Sequence, residues 1–175
     1  YKPIKPEVTE KKKKHPIKTI KILCSNKYFI LITLAFAIIY TSLGLTGGSR
    51  IYYAKYVLGN EMINSTMTLF NYIPTILTIM LIPIFAKKFG KIKALFVGFL
   101  FYGAGLILEI AGPVNLPMIY GGLVLQGIGH AALYSCLFAI VGDVVDYSEW
   151  KDGIREEGLT YSVTSFGQKI GTGLG

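Results

Sequence analysis

The chain of 175 residues is 52% hydrophobic and only 16% charged, and it has a formal net charge of +8. Soluble domains carry about 25% charged residues, so this composition excludes an ordinary soluble domain. The positive charge does not indicate nucleic-acid binding, because nine of the eighteen basic residues lie in the first 27 positions and no aromatic-and-basic module follows. Basic residues next to an apolar segment are typical of membrane topology and of anionic lipid headgroups.

Residues 1–27 form a polar, lysine-rich segment with three prolines, which we interpret as a solvated linker or as a specific lipid or partner site. No signal peptide is visible in it. Because the chain begins with Tyr1 and stops in an apolar stretch at Gly175, we expect that both ends are cut.

Long uncharged stretches follow this segment, between positions 27 and 50, 61 and 87, and 109 and 143. Each provides the roughly 20 residues that a helix needs to cross a bilayer core of about 30 Å. We therefore predict an all-α integral membrane domain over residues 28–175. Its spans are predicted at about 28–49, 62–86, 94–112 and 116–142, with a fifth at 159–175 that is incomplete.

Lysine and arginine are unevenly distributed between alternate loops. Fifteen lie in residues 1–27, 87–93 and 143–158, whereas the opposite loops contain only Arg50 and Lys55. The positive-inside rule then places the N-terminal tail in the cytoplasm of a multi-pass protein of the cell membrane. Many glycines lie within the spans, where they permit helices to approach closely.

Polar residues recur at helical spacing inside three of the spans. The stripes are Asn64, Thr68, Asn71, Thr75 and Thr78; Gln126, His130 and Tyr134; and Ser162, Ser165, Lys169 and Thr172. They indicate either a shared wet cavity or interhelical hydrogen bonds, which are worth on the order of 0.6 kcal/mol each. The role of His130 stays open at this point.

Lys169 lies about ten residues into the predicted fifth span. A lysine there costs roughly 2.5–3.5 kcal/mol on insertion scales and by default marks an ion or substrate pathway. The five spans offer only one acidic residue, Glu109, near the outer end of the third, so we expect the partner of Lys169 outside this chain. A structural ion pair is the alternative.

The segment from Gly142 to Lys169, GDVVDYSEWKDGIREEGLTYSVTSFGQK, resembles a characteristic segment of the glycoside–pentoside–hexuronide:cation symporters, the melibiose permease-like family of the major facilitator superfamily. The stretches YYAKYVLGN at 52–60 and FAKKFGK at 85–91 resemble other parts of the same family. The resemblance implies a major facilitator fold with a substrate site near the membrane midplane. This chain then corresponds to the central cytoplasmic loop and the C-terminal six-helix half, truncated within its fifth helix.

The same resemblance implies roles for individual residues. Substrate binding is expected of Lys169, Ser165, Thr164 and Tyr134, although a characterised relative has glutamine at the position of Thr164 and tryptophan at that of Tyr134. A cytoplasmic ionic gate is expected from Asp143, Asp146, Arg155 and Glu157, with a contribution from Lys91. An ordinary solvated loop is the alternative for this charged segment.

The leading functional hypothesis is cation-coupled symport of a sugar or glycoside by alternating access. No nucleophile–base pair and no pair of acids is present within the spans, so we do not expect an enzyme, a metal site or a cofactor. The resemblance implies that the coupling cation, Na+, H+ or Li+, binds to the N-terminal half of the protein. The expected partners of this chain are therefore that half, the sugar, the cation and membrane lipid. A non-transporting sensor or scaffold, or a carrier of a non-sugar solute, is the alternative.

Overall fold

A computed structural model describes residues 27–152 and 157–174, and within these ranges it contains five α-helices and no β-strand. In chain order the helices are α1 (Lys27–Tyr56), α2 (Ile63–Phe89), α3 (Lys91–Ala111), α4 (Leu116–Asp152) and α5 (Glu157–Leu174). Helices α1 to α4 are long and apolar enough to cross a membrane, and α5 is the most polar of the five. The predicted all-α membrane architecture is therefore confirmed.

Successive helices run in opposite directions, so the turns lie at two ends of the bundle. The Lys91 end contains the α2–α3 turn, where Gly90 has a φ of +91°. The Tyr53 end contains the α1–α2 and α3–α4 turns, and there the Tyr53 hydroxyl donates to the Pro113 carbonyl. This bond ties the end of α1 to the turn between α3 and α4.

Helix α4 forms the centre of the described bundle and packs against both α2 and α3. In the most apolar stretch of 18 residues in α4, 56% of the residues are buried. In the corresponding stretches of α1, α2 and α3 the buried share is only 17% to 22%. The outer faces of those three helices are covered with exposed aliphatic and aromatic side chains, such as Leu31, Ile76 and Leu100. Such faces are compatible with lipid, because a bilayer core offers no polar partners to a side chain.

Glycines bring α3 and α4 into close contact. A Cβ atom added at Gly98 would lie 2.6 Å from the Cβ of Ala132, and one added at Gly122 would lie 2.7 Å from the carbonyl oxygen of Gly105. The predicted use of glycine for close helix approach is thus confirmed at these positions. Gly103, on the same helix α3, has open space around its Cβ position and serves no such contact.

Helix α1 is longer than the predicted first span. The predicted span ends at about position 49, directly after the glycine pair Gly47-Gly48, but the helix continues to Tyr56. A glycine pair does not end a helix where leaving the helix would expose backbone groups to an apolar environment. As a result Arg50 lies on the helix rather than in a loop.

Helix α4 extends ten residues beyond the predicted end of the fourth span at position 142, so most of the segment interpreted as a cytoplasmic loop is helical. The extension continues a buried face at steps of 3, 1 and 3, formed by Val141, Val144, Val145 and Ser148. Val141 and Val144 pack against Phe29 and Ile32 of α1. This contact stabilises the extension and leaves Asp143, Asp146 and Glu149 on its exposed side.

Candidate functional site

One face of α5 carries exposed polar side chains. Together they line an open depression of about 430 Å³, formed by Tyr161, Ser162, Ser165, Phe166 and Lys169. The structure therefore brings together two of the predicted substrate-binding residues, Ser165 and Lys169. It also places the third predicted polar stripe on a single exposed face.

The Cα atom of Lys169 lies about 18 Å along α5 from that of Glu157, at about 1.5 Å per residue. Within residues 27–152 and 157–174, no acidic side chain forms an ion pair with it, since the ion pairs there are Lys55–Glu61 and Lys91–Asp143. A charged amine at such a position needs a counter-charge or a polar solute. Lys169 is available to either.

Thr164 lies on the opposite side of α5 from this depression. It is only 1% exposed, and its hydroxyl donates to the carbonyl oxygens of Thr160 and Tyr161, at 3.2 and 3.0 Å. This position differs from the expectation that Thr164 lies with Ser165 at the substrate. The physical reason is a row of small buried residues at steps of 4, 3 and 4: Thr160, Thr164, Gly167 and Gly171.

That row of small residues packs against α1. A Cβ atom added at Gly171 would lie 2.6 Å from the carbonyl oxygen of Ala37, and one at Gly167 would lie 3.1 Å from that of Thr33. The two helices are therefore nearly in backbone contact. This contact determines which face of α5 stays open.

Tyr134 lies on α4, against α1, and is half-buried. Its ring is 6.1 Å from the ring of Tyr40 and 5.7 Å from that of His130, which in turn lies 4.9 Å from Tyr102. The depression that Lys169 lines does not include Tyr134. Within the described residues the structure thus separates Tyr134 from Ser165 and Lys169.

The polar stripe of α2 holds α2 against α4. The Asn71 amide donates to the carbonyl oxygen of Leu123 at 3.1 Å. The Thr75 hydroxyl lies 3.0 Å from the carbonyl oxygen of Gly127. Both side chains are buried. For Asn71 the interpretation as an interhelical hydrogen bond is confirmed, whereas the Thr75 hydroxyl also lies 2.8 Å from the carbonyl oxygen of Asn71 on its own helix. In the part of the chain that the structure describes, the three polar stripes do not line one common cavity.

At the Lys91 end, the structure pairs two residues of the predicted ionic gate. Lys91 donates to both carboxylate oxygens of Asp143, at 2.6 and 2.8 Å. Asp146 and Glu157 are exposed nearby along the chain, on α4 and at the first turn of α5. Arg155 lies outside the described residues.

A second, larger cavity opens near the Tyr53 end, where the sequence predicts no site. It has a volume of about 550 Å³, and its lining includes Arg50 and Glu109. Sequence reasoning missed Arg50, because the predicted span ended at Ser49 and left the arginine in a loop. The signal available was that Arg50 is one of two basic residues on the sparsely charged side.

Comparison with known proteins identifies relatives along almost the whole chain. Residues 2–175 match the family described as MFS/sugar transport protein. An isoprimeverose transporter of Lactiplantibacillus pentosus is 27% identical over 172 residues, which are 97% of this chain and 36% of that protein. A glucuronide carrier protein homolog of Escherichia coli is 27% identical over 159 residues, 90% of this chain and 35% of that protein.

A raffinose carrier protein of Pediococcus pentosaceus is also 27% identical, over 153 residues that make up 86% of this chain and 24% of the relative. The chain thus spans about a third or less of the length of these curated relatives. They are transporters by name and not enzymes, in agreement with the prediction that this chain is not an enzyme. Since the match covers nearly every residue, the chain belongs to the MFS/sugar transport protein family of the major facilitator superfamily.

Proposed function

We propose that this chain is part of a secondary active transporter that moves a sugar or glycoside across the cell membrane together with a cation, by alternating access. The family and the names of the relatives support transport of a sugar-like solute. The proposed substrates include a neutral glycoside such as isoprimeverose and an anionic one such as a glucuronide. Symport and its coupling to Na+, H+ or Li+ are part of the proposal.

The observation that carries the proposal is the exposed polar face of α5. A helix of a membrane bundle here presents Ser165 and Lys169, with aromatic rings beside them, into an open depression. A hydroxyl and an ammonium group donate hydrogen bonds to sugar oxygens, and aromatic rings pack against the apolar faces of sugars. We assign substrate contacts to Ser165 and Lys169, and stacking to Tyr134 in the assembled protein.

Thr164 has a different role in this proposal. Its hydroxyl is bonded within α5 and its side chain packs on α1. We therefore assign it to holding α5 in position rather than to direct contact with the sugar. The coupling cation is assigned to acidic residues beyond this chain, as the family resemblance implies.

The ion pair at the Lys91 end supplies a device for alternating access. Lys91 follows the α2–α3 turn, and Asp143 lies on the extension of α4, so the pair links two helices at one end of the bundle. We propose that this end is cytoplasmic, in line with its excess of lysine. Breaking and re-forming the pair, with Asp146, Arg155 and Glu157, would accompany opening toward the cytoplasm.

The test is cation-dependent uptake by the full-length protein in liposomes. We expect uptake of isoprimeverose, a glucuronide or raffinose that depends on an imposed Na+ or proton gradient. Lys169→Ala is expected to abolish it, whereas Lys88→Ala, an exposed lysine at the end of α2, leaves it unchanged. Binding of a sugar without uptake would favour a sensor. Neither binding nor uptake of any tested sugar would favour a carrier of another solute.

A further inference from the structure

The cavity at the Tyr53 end has the composition of a small-molecule site. Its volume of about 550 Å³ falls within the roughly 300–1,000 Å³ that is usual for ligand pockets. More than half of its lining residues are apolar or aromatic, Tyr53 and Met67 among them, and its polar groups include Ser49, Arg50 and Glu109. Ligand pockets combine a largely apolar wall with a few placed polar groups.

The two charged groups of this cavity lie on different helices, Arg50 on α1 and Glu109 on α3. They interact electrostatically, but among the described residues they do not form an ion pair. The Oε1 atom of Glu109 is buried and has no hydrogen-bond partner within the described structure. Both charges therefore retain unused hydrogen-bonding capacity.

Gln126 adds a second observation from helix α4. Its side chain is fully buried, and within the described residues neither its amide oxygen nor its amide nitrogen has a hydrogen-bond partner. Its amide lies close enough to the Glu109 carboxylate for the two groups to attract each other, and Gln126 itself does not line the cavity. Leaving a buried polar group unsatisfied costs about 1–3 kcal/mol, so α3 places an unsatisfied polar atom in the cavity wall that Arg50 of α1 also lines, and α4 places two more next to it.

A solute that both donates and accepts hydrogen bonds satisfies this set of groups. A sugar hydroxyl is able to donate to the Glu109 carboxylate, and a sugar oxygen is able to accept from the Arg50 guanidinium. Hydrogen bonds to charged groups are about twice as strong as neutral ones. The Tyr53 ring and the Met67 side chain offer apolar surface to the ring carbons. One positive and one negative charge cancel, so the cavity favours a neutral solute over an anion.

We infer that Arg50 and Glu109, with the buried Gln126 next to Glu109, form a second binding site for a neutral, hydroxyl-rich solute, separate from the α5 face that contains Lys169. It lies at the opposite end of the bundle from the Lys91–Asp143 pair. A sugar held there would be bound before or after it reaches the α5 face. The inference relies on the proposed function only for the choice of sugar.

The experiment measures the labelling rate of a cysteine placed in the cavity of the full-length protein. Ser49→Cys is made with Cys24→Ser and Cys136→Ala, and N-ethylmaleimide is added with increasing isoprimeverose or glucuronate. The control is Gly48→Cys, the neighbouring residue, which is exposed and does not line the cavity. A sugar at ten times its dissociation constant leaves about one site in eleven free, so labelling is expected to slow about tenfold.

We expect isoprimeverose to protect Ser49→Cys and not Gly48→Cys, and glucuronate to require at least about tenfold higher concentration. Protection is expected to persist in Lys169→Ala and to disappear in Glu109→Gln. Gel filtration of Glu109→Gln and the labelling of Gly48→Cys in that background show whether the variant is folded.

Two results would overturn the inference. Protection that requires an intact Lys169 would mean that Ser49 reports a change transmitted from the α5 face. An unprotected Ser49→Cys in a folded protein would mean that lipid or protein fills the cavity. If uptake fails while protection persists, the proposed transport is wrong and this second site still stands.

Discussion

The ammonium group of Lys91 lies 2.6 and 2.8 Å from the two carboxylate oxygens of Asp143 and 3.2 Å from the carbonyl oxygen of Ala139. Three oxygen acceptors of α4 thus bind the ammonium group of Lys91, the first residue of α3. They lie at and just before the start of the α4 extension. The side chains remain 40% and 58% exposed. An exposed ion pair contributes about 0.2–1 kcal/mol to stability, so its main effect is on the relative position of the two helices.

Neutralising this pair is expected to change transport more than folding. Lys91→Gln should lower the uptake rate about 5- to 10-fold, the size of a coupling of 1–1.4 kcal/mol between conformations. The free energy of unfolding should change by less than about 1 kcal/mol. Sugar uptake and thermal unfolding of the full-length protein measure the two effects.

The control is Lys93→Gln, an exposed lysine on α3 with no ion pair in the described part of the chain. The double charge swap Lys91→Asp with Asp143→Lys should recover part of the uptake. If the swap behaves like the sum of two independent losses, the pair does not act as a unit.

Ser165 and Thr164 are adjacent, but they are expected to respond differently to substitution. Ser165→Ala removes a hydroxyl from the open depression and should raise the KM for sugar about three- to tenfold, the worth of one hydrogen bond. Thr164→Val keeps the branched shape of the side chain and removes only a bond within α5, so the KM should stay within about twofold. Initial uptake rates over a range of sugar concentrations separate the two. A larger KM effect at Thr164 would return that residue to the substrate site.

The contact between α3 and α4 leads to a stability prediction with a matched control. A Cβ atom at Gly105 would lie 2.5 Å from the carbonyl oxygen of Gly122, whereas one at Gly103 meets nothing within 4 Å. Gly105→Ala should therefore lower the free energy of unfolding by about 1–3 kcal/mol, the usual cost of overpacking. Gly103→Ala should be neutral or stabilising by up to about 1 kcal/mol. Equal melting temperatures for the two variants would contradict the helix contact.

Asn71 is expected to stabilise the pairing of α2 with α4. Asn71→Leu removes the hydrogen bond to the Leu123 carbonyl and should cost about 0.6–1.7 kcal/mol of stability. Thr68→Val removes only a bond to Asn64 on the same helix and should cost less. Unfolding of the full-length protein in mild detergent provides the comparison. A larger loss at Thr68 would argue against Asn71 as the main link.

The spans and their helical character follow from the sequence, because a bilayer requires about 20 apolar residues per helix wherever the chain folds. Composition and the uncharged intervals were sufficient for the approximate positions of α1, α2 and α4. The family was recognisable from the charged segment at 142–169, and the match of residues 2–175 confirms it. The ends of α1 and α4 were predicted less well, since the turn signal at Gly47-Gly48 and the charges after Gly142 were overridden by packing.

The faces of the helices depend on their neighbours, and this is where sequence reasoning about the candidate site was incomplete. Spacing alone places Asn71 and Thr75 on one side of α2, but only the position of α4 shows that they bond to its backbone instead of facing water. Thr164 and Ser165 differ by about 100° around α5, and the contact of Gly171 with α1 determines which of them is open.

Arg50 and Glu109 are 59 positions apart in the sequence, so no local pattern relates them, and they line one cavity because α1 and α3 both border it near the Tyr53 end. The sequence alone was therefore enough to establish a helical membrane protein of a known family. Which polar groups meet, and which stay available to a solute, is decided by tertiary packing, since contacts between helices join residues that are remote along the chain.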